Sequence, residues 1–120
     1  MLQNTCKEIS HKQQTEGNKI VLGIRQYIEE NYKDQNLSVS SLADALNRNP
    51  KYVSRIFKEV TGTGILDYIN QFRISKAKEI MLERKYTLEE VSEMVGYVNV
   101  RAFRRAFVKI TGDIPSKFVK

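Results

Sequence analysis

KYVSRIFKEVTG (residues 51–62) and RAFRRAFVKITG (residues 101–112) are two versions of one pattern. At an offset of 50, Arg55 matches Arg105, Phe57 matches Phe107, Thr61 matches Thr111 and Gly62 matches Gly112. Each version follows a short stretch with helical spacing, SVSSLADALN before the first and LEEVSEMVG before the second. A short helix, a turn and a basic second helix, written twice, is an arrangement suited to meeting DNA at two places.

The turns support this. A helix-turn-helix needs a small residue in its first helix, so that the second can cross closely. It also needs a turn residue that accepts positive φ, as Gly does freely and Asn tolerates. The first unit supplies Ala43 and Asn47, the second Ser92 and Gly96. Leu42 and Leu46 match Val91 and Val95 at an offset of 49, so the second turn carries one extra residue.

Working outward, residues 1–17 are polar and weakly patterned, and read as a flexible linker or ragged start. Ile20, Ile24, Tyr27 and Ile28 make the apolar face of a first helix ending near Lys33. Ser38 caps a second, and Asn49-Pro50 opens a third that Gly62 stops. A linking helix over about 64–84 carries Ile65, Ile69, Phe72, Ala77, Ile80 and Met81. Thr87 with Glu90 forms a capping box for a fifth, and Asn99 caps a sixth that ends at Gly112. Pro115 opens a final short turn, with Phe118 packing inward. The helix-turn-helix units thus cover about 38–62 and 87–112, in an all-α chain with no convincing strand.

The 120 residues carry a net charge of +6, and 41% are hydrophobic. The charge is segregated: residues 99–111 hold Arg101, Arg104, Arg105 and Lys109 with no acid, while 86–98 hold Glu89, Glu90 and Glu93 with no base. Helical spacing places Lys51, Ser54, Arg55 and Lys58 on one outward face, and Arg101, Arg104 and Arg105 on the other. Arginine's planar fork matches guanine O6 and N7. Lys58 and Lys109 come later in their helices, where phosphate contact is expected, and Asn49 and Asn99 sit at helix starts, which offer backbone amides to phosphate. Each has a plainer reading as a solvated charge or cap, and Arg55 or Arg105 as a structural partner of Glu89 or Glu93. Phe57, Phe103, Ala106, Phe107 and Ile110 read as core.

Other function classes find less support. The single histidine, His11, and single cysteine, Cys6, lie in the polar start, so no hydrolase constellation, zinc spacing or disulfide is formed. No glycine-rich phosphate loop is present, and no apolar run approaches the ~20 residues of a membrane span. A non-enzymatic, cytoplasmic domain without cofactor is expected. The rival is a helical interaction module binding an acidic protein, which has no need of a doubled basic helix.

Taken in order, the motif residues are Ser38…Leu42-Ala43, Tyr52…Arg55-Ile56-Phe57-Lys58…Thr61-Gly62, Asp67-Tyr68-Ile69-Asn70…Arg73-Ile74…Lys76-Ala77, Val91…Gly96-Tyr97 and Phe103…Arg105…Phe107…Thr111-Gly112…Pro115. In this, residues 18–120 resemble the DNA-binding domains of the AraC/XylS transcription regulators. The resemblance departs at Val98-Asn99-Val100, Ala102 and Arg104, where the family often has Ser-Asp-Pro, an aromatic and Ser. It implies a seven-helix bilobal domain with two helix-turn-helix units joined by a long helix, binding double-stranded DNA. It further implies a sensing or receiver domain on the N-terminal side, as in response regulators, and contact with RNA polymerase. The domain alone is expected to be monomeric, because one chain carries both recognition helices.

Overall fold

The computed structural model describes residues 4–117, and side chains from Glu16 onward. Its described residues form six α-helices and one 3-10 turn. The helices are α1 (Asn4–Asn31), α2 (Val39–Ala45), α3 (Pro50–Thr61), α4 (Ile65–Met81), α5 (Leu88–Met94) and α6 (Val100–Thr111). Where the resemblance implies a seventh helix, the described residues wind a 3-10 turn, Pro115–Lys117. Phe118 lies outside the described residues.

Local chemistry sets most boundaries. The Ser38 hydroxyl accepts from the Ser41 amide, and the Ser41 hydroxyl accepts from the Ser38 amide, closing a capping box before α2. Thr87 and Glu90 do the same before α5. The side-chain oxygen of Asn49 accepts from the Lys51 and Tyr52 amides, and Pro50 takes the first helical position of α3. Asn99 accepts from the Ala102 amide at the start of α6. At the other ends Gly62 and Gly112 are left-handed, with φ of 78° and 82°.

Three expectations change. Residues 4–17, read as a linker, continue α1. Lys, Glu and Gln there are good helix formers, and Gly17 sits within the helix where a Cβ would lie only 3.2 Å from Val60 Cγ2. Its missing side chain thus lets α1 lie close on α3. The helix ends at Asn31, whose side chain donates to the Tyr27 carbonyl. The linking helix is 17 residues, shorter than the sequence span suggested, and is about 25 Å long.

Two cores result. Ile20, Val21, Ile24 and Ile28 of α1 pack with Leu42, Ala43, Val53, Phe57, Ile65 and Ile69. Ile74, Ala77 and Met81 pack with Val91, Val95, Tyr97, Phe103 and Phe107. The helix α4 therefore closes the first lobe with its first half and opens the second with its last. Full burial of side chains as large as Phe57, Phe103 and Phe107 contributes about 1.5–3 kcal/mol each. Ile110, expected in the core, is 36% exposed, as is its repeat counterpart Val60 at 44%. Both lie one turn beyond the last buried phenylalanine.

Candidate nucleic-acid interface

The repeat holds at the level of single hydrogen bonds. In the first unit the Arg48 amide donates to Ala43 O, and in the second the Tyr97 amide donates to Ser92 O, both at 2.9 Å. Asn47 and Gly96 carry the positive φ between them, 58° and 98°. The match then slips from 49 to 50 at Val98, which is the added residue and is 70% exposed. At the far ends, Thr61 Oγ1 donates to Phe57 O at 2.7 Å and Thr111 Oγ1 to Phe107 O at 2.8 Å. Each threonine also accepts the amide two residues on, Thr63 or Asp113, at 3.1 Å. The two second helices, α3 and α6, are thus framed alike by an Asn cap, two buried residues (Val53 and Phe57, Phe103 and Phe107) and a Thr-Gly stop.

That frame turns the expected side chains outward. Lys51, Arg55 and Lys58 on α3 are exposed and Ser54 is half-buried; Arg101, Arg104, Arg105 and Lys109 on α6 are all exposed. The two shared arginines differ in setting. Arg55 lies over the Tyr52 ring, its guanidinium carbon 5.5 Å from the centroid. Ala102 replaces that tyrosine beneath Arg105, so the second arginine has no such platform. Neither arginine pairs with Glu89 or Glu93, the acids the sequence offered, among the described residues. Glu89 and Glu90 instead occupy the first turn of α5, where the helix dipole favours acids. Lys109 reaches Asp67 of α4 at 3.9 Å, but both are well exposed, so the pair adds little to stability and leaves the amine accessible. The oxygens of Asn49 and Asn99 are committed to capping.

Behind this surface is a residue the functional reading of the sequence passed over. Arg73, in the middle of α4, is 8% exposed. Its Nε donates to Tyr32 O and its Nη2 to Asp34 O, each at 2.9 Å, where the chain leaves α1. Its guanidinium carbon lies 5.3 Å from the centre of the Tyr97 ring, and the Tyr97 hydroxyl donates to Asn70 Oδ1 of α4 at 2.7 Å. Burial pushes the Tyr97 phenol up to about 12, a rise that the nearby Arg73 charge reduces. Burial also lowers the Arg73 pKa, with Tyr97 and Asp34 opposing. Gly96 lies against the same carbonyl: a Cβ there would be 2.1 Å from Tyr32 O. The available signal for Arg73 was its place between Ile69 and Ala77, each four residues away on the buried stripe.

Among the described residues no cluster of His, Cys, Asp and Glu is arranged to hold a metal, and no helix is long and apolar enough to cross a membrane.

Two helix-turn-helix units, framed alike on a shared linking helix, define a helix-turn-helix DNA-binding domain. Residues 42–120 match the family model described as a helix-turn-helix domain, and the chain belongs to the AraC-type family of transcription regulators. It is 32% identical over 95 residues to the bifunctional transcriptional activator/DNA repair enzyme AdaA of Bacillus subtilis, covering 79% of this chain and 44% of that protein. It is 31% identical over 93 residues to the arabinose operon regulatory protein of Escherichia coli, covering 78% of this chain and 32% of that protein. The chain therefore spans less than half of either relative. Among solved structures it is similar to the C-terminal domain of AraT, a response regulator from Geobacillus stearothermophilus. There the TM-score is 0.80 with 33% identity, and 82% of each chain is covered.

Proposed function

We propose that α3 and α6 enter successive major grooves on one face of a DNA duplex and read an asymmetric site. The observation that carries this is the repeat itself: identical framing holds two helices whose outward residues differ. Lys51, Ser54 and Arg55 stand on one, Arg101, Arg104 and Arg105 on the other. In this reading these six side chains address base edges, Lys58 and Lys109 address phosphates, and the capped starts at Asn49 and Asn99 offer backbone amides to the DNA backbone. One chain then covers two half-sites as a monomer. The 25 Å or so of α4 is shorter than the ~34 Å turn of B-DNA. The remainder has to come from how the two lobes are seated on α4.

The domain serves as the output end of a longer cytoplasmic regulator. Its likeness to the C-terminal domain of a response regulator supports a receiver or other sensing domain on the N-terminal side, which α1 joins to the DNA-binding unit. Regulation follows from where the bound domain presents itself to RNA polymerase.

The test is a titration with duplex DNA at several salt concentrations. Displacing counterions from about six phosphates gives a log–log slope near −5. A slope near zero contradicts the reading and points to a protein partner. Selection from random duplexes then shows whether the two half-sites differ; a palindromic site refutes the asymmetric assignment.

A further inference from the structure

We propose that Arg73 is a positioning residue that sets the separation and orientation of the two recognition helices, by clamping the end of α1 and the turn of the second unit to the middle of α4. This rests on the two-groove reading above.

Arg73 stands where α4 passes from one core to the other. On its N-terminal side Ile65 and Ile69 belong to the first core, with Tyr68 and Phe72 packed on it; from Ile74 onward the helix belongs to the second. Its two carbonyl acceptors, Tyr32 O and Asp34 O, come from the segment that leaves α1, a helix whose Ile20, Val21, Ile24 and Ile28 sit in the first core while Tyr32 at its end packs against the second. The ring on its other side, Tyr97, comes from the helix-turn-helix turn of the second. The Tyr97 hydroxyl returns to Asn70, one turn back on α4. Three separate segments are thereby held by one planar group, with Gly96 leaving no slack against Tyr32 O.

The chemistry favours positioning over mere filling. A buried charge contributes little net stability compared with a well-packed apolar side chain of similar volume. Its hydrogen bonds, however, are directional, and a guanidinium presents its donors in a rigid fork. An apolar residue here would fill space while allowing the lobes to rock. A rocking of about 10° acting over a lever of about 20 Å displaces a recognition helix by about 3.5 Å, which is close to the rise of one base pair. The clamp therefore holds the protein to one spacing of half-sites.

The experiment compares the intact chain with Arg73→Met and Arg73→Lys. Methionine keeps a long stem without donors, and lysine keeps the charge without the fork. Affinity is measured on the site selected from random DNA and on versions with one base pair inserted or deleted between the half-sites. The unaltered protein is expected to lose about 10-fold or more on each altered spacing, the scale of a mismatched base pair. Both variants are expected to discriminate by less than about threefold. In parallel, spin labels at Glu59→Cys and Glu93→Cys, in a Cys6→Ser background, report the distance between lobes without DNA. The variants should give a broader distribution. An unchanged distribution overturns the proposal. So does an equal loss of affinity at every spacing, which marks a purely structural role. If Arg73→Met does not fold, Arg73→Lys decides by the same two readouts. A parent protein indifferent to spacing refutes the two-groove reading instead, while the distance distribution still decides whether Arg73 holds the lobes.

Discussion

Replacing Gly96 with alanine tests the junction between the lobes directly, because two other glycines serve as internal controls. Gly62, Gly96 and Gly112 all have positive φ, at 78°, 98° and 82°. A Cβ at Gly62 or Gly112 meets nothing within 4 Å, whereas one at Gly96 falls 2.1 Å from Tyr32 O and 2.9 Å from Arg73 Nε. Backbone strain alone costs about 1–2 kcal/mol at each position, partly offset by about 0.4–1 kcal/mol from a stiffer unfolded chain. The two controls should therefore lose about 1 kcal/mol or less. At Gly96 an ordinary C···O contact of about 3.3 Å requires the turn to retreat by roughly 1.2 Å from a backbone carbonyl. That retreat loosens the hydrogen bond from Arg73 Nε to the same carbonyl, and a buried donor left unpaired costs about 1–3 kcal/mol more. The total for Gly96→Ala is about 2–4 kcal/mol. Thermal unfolding followed by circular dichroism should show a drop of about 8–16 °C for this variant against about 4 °C for each control. If Gly96→Ala melts with the controls, the close approach of the second turn to the end of α1 is not present in solution.

Tyr97 gives a pH signature. Its phenol is raised by burial to about 12, from about 10 in the unfolded chain. Its contribution is therefore complete below pH 10 and is lost as pH rises through about 12, at up to about 1.4 kcal/mol per pH unit. Urea midpoints between pH 9 and 11.5 should fall more steeply for the parent than for Tyr97→Phe; parallel slopes contradict the buried phenol. Phe107→Ala opens a cavity in the second core and should cost about 3–5 kcal/mol, so an unchanged melting temperature would refute its placement. Arg55→Ala and Arg105→Ala should each weaken specific binding by about 1–3 kcal/mol and relax base preference in different halves of the site. Equal losses on specific and random duplexes would move both to phosphate contact.

The helix ends were legible because their causes are local. Ser38, Asn49-Pro50, Thr87 and Asn99 cap through bonds to residues two or three away, and Gly62 and Gly112 stop helices by their own φ. The outward faces followed from the same periodicity that buried Phe57 and Phe107. What escaped was tertiary. The carbonyls that receive Arg73 lie 41 and 39 residues earlier in the chain, and a charge inside an apolar stripe does not announce its partner. Val53 was readable in retrospect, since its counterpart at an offset of 50 is Phe103. The exposure of Ile110 was readable too, from Val60 in the other copy. The helical course of residues 4–17 had no comparable cue, because a polar stretch of Lys, Glu and Gln suits both helix and linker.

The single continuous α4 has an evolutionary consequence. Two domains joined by a loop can gain or lose residues and merely change their reach. A shared rod cannot: each residue added to α4 lengthens it by about 1.5 Å and also turns everything beyond it by about 100°. One insertion would swing α6 to a different side of the molecule. Two full turns, about seven residues, would restore its heading while moving it about 10 Å. Intermediate lengths are closed to gradual drift, so the separation of α3 and α6 is inherited whole. On the proposed two-groove reading, diversification is left to the outward residues of α3 and α6, where a single substitution would change the message without disturbing the instrument.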